Sequence, residues 1–464
     1  MNFWILLLIA LGWVKAVGAS ATRGEAKPNI IIIYADDLGY GDLGCYGHPS
    51  IRTPNLDRMA AEGMRFTDFY SAGEVCTPSR AALLTGRYPI RSGMCHDQFR
   101  VLRSTSKGGL PKEEVTLAEL LRDRGYRTGM IGKWHLGHLP EHLPPQHGFD
   151  FYLGLPFSND MMPTSEAPKG RAKFFAEKNE YWETPLLLGT RVLEAKPDQR
   201  TLTRRYTEEA VNFIRTNQKG PFFLYVAHTF PHVPLFASDR FHGRSPAGLY
   251  GDVVEELDWS VGQVLDQVRK SGLSGRTLVI FSSDNGPWLT YEHHGGSAGP
   301  LREGKGSTWE GGMRVPGIAW WPGRIPSGRV QREVGLTLDL FPTVAKLAGA
   351  PLSKTVLDGV DISPLLFGTG TVNRDPFLYY RGSTLYAARM GPWKAHFISQ
   401  PSWGPDKPVF HDPPLLFHLG LDPGEKWNCA GTNAVVLAQI QAAVEKHRAG
   451  LVPVPTQLAE TVGP

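Results

Sequence analysis

Four short apolar runs stand out along the first 300 positions: NIIIIY at 29–34, RTGMI at 127–131, FFLYVA at 222–227 and TLVIFS at 277–282. None alternates apolar with polar residues, so each predicts a strand covered on both faces rather than one half open to water. The stretches between them have a helical period. Helices are predicted at 54–63 behind Thr53-Pro54, at 117–124 behind Thr116, at 205–215 and at about 252–270. In the last of these Val253, Leu257, Val261, Val264 and Val268 fall on one face. Strands alternating with helices predict an α/β fold: a large, mainly parallel sheet sandwiched by helices.

The pattern changes near residue 370. Short strand-like runs at 377–380, 385–389 and 393–397 are broken by turn signals at Arg381-Gly382 and Gly391-Pro392. A further run at 414–419 and an amphipathic helix at 435–447 complete a small antiparallel sheet with one helix. The chain therefore divides into a main unit at 28–368 and a small C-terminal α+β unit at 369–464. Segments 99–112 and 156–204 are rich in Pro, Gly and charge and are long enough to line a pocket. The first 21 residues carry an apolar stretch and then small residues ending in Val17-Gly18-Ala19, which predicts a cleaved signal peptide rather than a stable membrane span.

Composition narrows the picture further. Hydrophobic residues make up 41% of the 464, as in ordinary globular chains, and the formal net charge of +4 is spread without a polybasic run. That argues against a nucleic-acid partner. Four cysteines are too few for a disulfide scaffold, so burial must hold the fold. No Asn-x-Ser/Thr acceptor occurs, which suits export to a bacterial periplasm or the extracellular space better than a glycosylated, lysosome-like lumen.

The chemistry lies where the strands stop. The first run ends at Asp36-Asp37, the second leads into Lys133 and His135, the third precedes His228 and His232, and the fourth ends at Asp284-Asn285-Gly286. In parallel sheets ligands bind outside the carboxyl ends of the strands. Asp36, Asp37, Asp284 and Asn285 offer only oxygen ligands, which suits a hard divalent cation, Ca²⁺ before Mg²⁺. The same residues also serve as capped turns or an Asx turn. Arg80, Lys133, His135, His232 and Lys305 could join that metal around a multiply oxygenated anion such as sulfate or phosphate. His48 and His228 read as structural, and His293-His294 reads either way. Cys76 opens EVCTPSRAALLTGR, where Thr77 is a candidate N-cap, Pro78 the first helical residue, and Gly86 the stop. A cysteine at a helix start sits where anions are favoured, or is an ordinary loop residue. From the residues, the chain is a metal-assisted hydrolase of an anionic ester.

CTPSR at 76–80 followed by LTGR at 84–87 resembles the first signature of the type I sulfatases, within the alkaline-phosphatase-like superfamily, and GKWHLG at 132–137 resembles the second. GGSAGPLREGKGSTWEGGMRVP, YYRGSTLYAARMGPWKAHF and LLFHLGLDPGE extend the likeness towards the arylsulfatase A and N-acetylgalactosamine-6-sulfatase branch. The resemblance implies that Cys76 is oxidised to formylglycine by a formylglycine-generating enzyme. One hydroxyl of the hydrated aldehyde would attack sulfur and displace the alcohol, and deprotonation of the other hydroxyl would then expel sulfate and restore the aldehyde. It implies Asp36, Asp37, Cys76, Asp284 and Asn285 as calcium ligands. Arg80 and Lys133 would contact residue 76, and His135 would be the base. Ser158, Lys133, His232 and Lys305 would bind sulfate, the last two also helping to protonate the leaving oxygen. The substrates implied are aryl sulfates or terminal sulfated sugars such as galactose or N-acetylgalactosamine sulfates. The alternatives are a phosphodiesterase or phosphonate hydrolase of the same superfamily, and a sulfated-glycan-binding protein without catalysis.

Mass spectrometry of the tryptic peptide 66–80, in protein from its native host, should show Cys76 lighter by one thiol-to-aldehyde exchange and reactive towards carbonyl reagents. An unmodified cysteine there would remove the expected nucleophile.

Overall fold

The computed structural model describes residues 27–352, 355–374 and 376–462; the expected signal peptide at 1–21 lies outside them. The main sheet contains β1 (Asn29–Ala35), β2 (Met64–Tyr70), β3 (Arg127–Gly132), β4 (Phe151–Gly154), β5 (Leu186–Leu188), β6 (Arg191–Glu194), β7 (Phe222–Ala227), β8 (Thr277–Ser283), β9 (Arg314–Trp320), β10 (Arg329–Gln331) and β11 (Gly335–Leu336). Its strand order is β10-β2-β9-β8-β1-β7-β3-β4-β5-β6, with β11 beside β2. Strands β8, β1, β7, β3 and β4 are mutually parallel, and all four runs expected from the sequence lie in this block.

The apolar runs are continuous because both faces of the block are buried. Ile30 and Ile32 join one core cluster with Tyr225 and Ile280, while Ile31 and Ile33 join the other with Leu224 and Val279. Helices Leu202–Thr216 and Gly248–Lys270 cover the second face; Cys76–Thr85, Leu117–Arg122 and Leu340–Leu347 cover the first. Thr116 caps Leu117–Arg122 through a full capping box with Glu119.

The sheet has strands that the sequence pattern does not predict, among them the hairpin β5–β6 inside the segment 156–204, where only a pocket-lining loop is expected, and two differences bear on the site. Strand β9 runs antiparallel between β2 and β8, and neither β2 nor β9 was expected. MRFTDFY exposes alternate positions in part, while RVPGIAW is buried throughout and interrupted by Pro and Gly, so neither matches the simple runs. The second difference is the start of the helix at Cys76. It begins at Cys76 itself, with Val75 at the cap and no side-chain capping bond. Thr77 instead donates to the His135 carbonyl and accepts from the Leu102 amide, tying three segments together. Gly86 does stop the helix, in the left-handed conformation that favours glycine (φ 69°).

The second sheet is antiparallel and comprises β12 (Phe377–Arg381), β13 (Thr384–Met390), β14 (Trp393–Ser399) and β15 (Val409–His418), with helix Ala434–Gly450 packed on it. A buried ionic network joins it to the main sheet. Lys394 of β14 donates to Glu310 (3.0 Å) and to the Thr308 carbonyl (2.8 Å) and pairs with Glu425 (3.0 Å). Glu310 also accepts from Tyr70 of β2 (2.6 Å) and Tyr379 of β12 (3.0 Å). Burial pushes the Glu310 carboxyl up, but Lys394, Arg314 and Arg389 outweigh it and hold it at about 2.

Lys394→Met would leave Glu310 and Glu425 buried without their ammonium, and should destabilise the fold by about 3–5 kcal/mol in denaturant titration. Because the Glu310 pKa is depressed on folding, its contribution is present above the unfolded value. It should be lost as pH falls from about 4.3 towards 2, and this acid-limb loss should shrink in Glu310→Gln.

Candidate functional site

The parallel register sets the site. Tyr34 of β1 pairs with Ala227 of β7 and with Ser282 of β8, so the strands stop at one level. The ladder runs just past them: the Asp284 amide donates to Ala35, His228 to Tyr34 and Lys133 to Ala227. Asp36, Asp37, Lys133, Asp284 and Asn285 thus emerge together, all at 2% exposure or less. The helix beginning at Cys76 brings Cys76 and Arg80 to them.

Each carboxylate has its own cation. Arg80 forks onto Asp284 Oδ2 through Nε (3.0 Å) and Nη2 (2.8 Å), while its Nη1 donates to the Lys133 carbonyl. Lys133 Nζ donates to Asp36 Oδ2 at 2.5 Å and Lys305 Nζ to Asp37 Oδ2 at 2.8 Å. Burial would raise the Asp36 pKa, but Lys133, Arg80 and Lys305 together carry it below its ordinary value. Asp37 is pushed up to about 7, by burial first and then by Asp36 and Asp284 against the pull of Lys305. The Cys76 thiol lies 3.4 Å from Asp36 Oδ1, and burial followed by that carboxylate pushes it well above the ordinary thiol value. It is a poor thiolate nucleophile as it stands.

One atom each from Asp36, Asp37, Cys76 and His232 lies within 4.8 Å of the other three. Asn285 Oδ1 is buried without a partner, while its amide nitrogen donates to Asp37 Oδ1 (2.8 Å). An orphaned buried oxygen among three carboxylates fits a hard cation, and oxygen-rich donors are the set such an ion takes.

The two histidines are held in defined tautomers by backbone carbonyls. His135 Nε2 faces the Leu102 carbonyl at 2.8 Å and so carries the hydrogen, leaving the buried Nδ1 bare and without a partner. His232 Nδ1 faces the Val233 carbonyl (2.5 Å), leaving Nε2 towards Asp37 Oδ2 (3.7 Å) and Ser158 Oγ (3.3 Å). Ser158 in turn accepts from Lys133 (3.2 Å). Burial and then Lys133 push the His135 pKa well down; burial, Lys305 and Lys133 do the same to His232. Asp37 and His135 both sit at positive φ, 64° and 61°, an uncommon conformation for non-glycine residues and one that collects at functional sites.

Every candidate site residue named from the sequence is brought into this cluster. His48 accepts two local amide bonds, and buried His228 contacts Ser260, as expected of structural histidines. His293 and His294 pack on Phe175. Cys45, Cys95 and Cys429 are free thiols. Above the cluster lies a cleft of about 510 Å³ whose walls include Val101, Arg103, Asp160 and Met161, from the two long segments expected to line a pocket. Sequence reasoning missed Trp288 and Trp403, which also line it, 5.4 Å apart between ring centroids. Their signal was a Trp directly after DNGP and another inside PSWGP, large apolar side chains among turn formers.

The description Sulfatase matches residues 28–350, and that of the C-terminal region of aryl-sulfatase matches residues 372–463. The chain belongs to the sulfatase family. It is 45% identical to human (Homo sapiens) arylsulfatase A over 99% of this chain and 92% of that one. It is 43% identical to N-acetylgalactosamine-6-sulfatase of Canis lupus familiaris, covering 98% and 91% respectively. The structure of the PsFucS1 sulfatase from Pseudoalteromonas sp. superposes with a TM-score of 0.80 at 30% identity, covering 91% of this chain and 90% of that one. The chain is thus a sulfuric ester hydrolase on an alkaline-phosphatase-like fold. No helix among the described residues is long and apolar enough to cross a membrane.

Proposed function

We propose that this sulfatase cleaves sulfate esters at a calcium-assisted centre in which Cys76 is converted to formylglycine by a modifying enzyme, and that Asp36, Asp37, residue 76, Asp284 and Asn285 hold the metal. The observation that carries the reading is the charge count of the buried cluster. With all three ionised, Asp36, Asp37 and Asp284 are matched by Arg80, Lys133 and Lys305, so the residues alone give an entering anion no net attraction. A divalent cation adds two positive charges, which suits a sulfate group. Bound calcium would place that charge beside residue 76 and the sulfate oxygens; the hydrated aldehyde would offer two hydroxyls on one carbon.

The chain's own residues do the rest. Lys133, Lys305 and His232, with Ser158 between them, form a cradle that holds the sulfate oxygens and aims sulfur at residue 76. Arg80, fixed by Asp284 and the Lys133 carbonyl, holds residue 76 in place. His135 Nδ1, bare and kept neutral by burial and Lys133, takes the proton whose loss releases sulfate. Lys305 stays charged because Asp37 faces it, and it balances charge on the leaving oxygen. His232 gains a proton at Nε2 more readily once a sulfate group lies against it, and so can give that proton to the same oxygen.

Sugars bearing sulfate, such as galactose or N-acetylgalactosamine sulfates, are the proposed natural substrates, with aryl sulfates as small surrogates; the similarity to an N-acetylgalactosamine-6-sulfatase supports this. Export, to a periplasm or beyond the cell, belongs to the same reading.

Cys76→Ala should fold, as judged by an unchanged circular dichroism melt, and lose turnover of an aryl sulfate by several orders of magnitude; retained activity overturns the nucleophile. Asp284→Ala should lose both activity and bound calcium by atomic emission. A full calcium complement in that variant would remove Asp284 from the ligand set.

A further inference from the structure

A second pocket, of about 310 Å³, is lined by Asp97, Arg100, Arg381, Tyr386, Gln400 and Phe410. One side-chain pair joins it to the catalytic cleft: Arg100 lies 4.7 Å over the ring of Trp403, which is itself a wall of the cleft. The pocket joins the small sheet to the main unit: Arg381, Tyr386 and Phe410 come from β12, β13 and β15, and Asp97 and Arg100 from the loop after helix Pro89–Ser92.

Its cations are incompletely matched. Arg381 donates to the carbonyls of Pro401 (2.8 Å) and Ser402 (3.2 Å) and has no carboxylate pair among the described residues. Burial, and then Arg100, lower its pKa below the ordinary arginine value, as expected for a cation facing another cation. Arg100 pairs with Glu74 through Nη2 (2.9 Å), but its Nε is buried without a partner. The acid on this wall, Asp97, keeps its charge but turns its two oxygens to the Ser383 amide (2.8 Å) and hydroxyl (2.9 Å) rather than to either arginine. Tyr386 and Gln400, bonded to each other at 3.0 Å, add polar edges, and Phe410 is an exposed ring at the rim.

We propose that this pocket binds a sulfate or carboxylate on the sugar ring adjoining the one that carries the scissile sulfate, with the Trp403–Arg100 pair as the partition between the two rings. The inference rests on the sugar-sulfatase reading of the cleft and extends it from a single ring to an anionic oligosaccharide. The orphaned Arg100 Nε and the carboxylate-free Arg381 supply the charge-assisted donors such a group takes. The apolar faces of Trp403 and Phe410 suit the carbon-bearing faces of pyranose rings.

The test compares kcat/KM of the formylglycine-bearing enzyme on sulfated disaccharides whose second ring is neutral, sulfated or carboxylated, with a sulfated monosaccharide and an aryl sulfate alongside. An anionic second ring should be preferred over the neutral one by about tenfold, mainly through KM, the factor of one charge-assisted hydrogen bond. The sulfated and carboxylated substrates tell the two sources apart. Arg381→Ala should erase the preference. Because Arg381 also holds the 401–402 backbone, a second pair checks charge alone: Phe410→Glu should erase the preference and Phe410→Lys should keep it. Equal kcat/KM for neutral and anionic disaccharides, or a preference surviving in both Arg381→Ala and Phe410→Glu, overturns the inference while leaving the sugar reading intact. Turnover of the aryl sulfate with none of any sugar overturns the sugar reading, and the inference with it.

Discussion

Three carboxylates share one small, dry volume at the ends of parallel strands, and the rest of the site is arranged to make that tolerable. Unpaired charges there would each cost several kcal/mol in desolvation. The chain answers with one cation per carboxylate, each from a different segment: Arg80 from the helix behind Cys76, Lys133 from the end of β3, and Lys305 from the Gly-rich loop before β9. The pairing also orders the cluster. Arg80 cannot serve Asp284 and the Lys133 carbonyl together unless β3, β8 and the helix hold their register. A site whose parts are separated by about 270 residues in sequence is thus locked by contacts that only the folded sheet can make.

That dependence explains why so much was legible in the sequence. A strand buried on both faces announces itself as a continuous apolar run, and the polar residue that ends it must stand at the sheet edge. Asp36-Asp37, Lys133 and Asp284-Asn285 could therefore be placed together with no contact known in advance, and the structure puts them there. The antiparallel intruder β9 and its neighbour β2 were not legible because their pattern is set by sheet position rather than by any local period. The helix start was misjudged for a related reason. Thr77 has a capping side chain by local rules, but tertiary demand took it for the His135 carbonyl and the Leu102 amide.

Trp288 and Trp403 show the same limit from the other side. Each sits in a turn-rich stretch that predicts only a loop, and their meeting at 5.4 Å follows from how the small sheet docks on the large one. That docking is ionic at its centre. Lys394, Glu310 and Glu425 are all fully buried, and Arg314 and Arg389 share Asp68 beside them. Such a network is a weak source of net stability against apolar packing, yet it tolerates no sliding, since a shift of an ångström or two would strand a charge. The position of Trp403 over the cleft inherits that precision.

The backbone at His135 follows the same logic on a smaller scale. A left-handed conformation costs a non-glycine residue of order 1 kcal/mol, and here it is held by Thr77 on the carbonyl and Leu102 on the ring. Without the strain the ring could relax, take a second hydrogen bond at Nδ1 and cease to offer a lone pair. With it, the imidazole has one nitrogen spent on structure and one kept bare in a cationic, dry environment that disfavours its charged form. In the proposed reaction that bare lone pair is what takes the proton. Lys133, the largest contribution after burial to the low His135 pKa, also neutralises Asp36, so a charge that makes the cluster stable also helps to keep this histidine neutral.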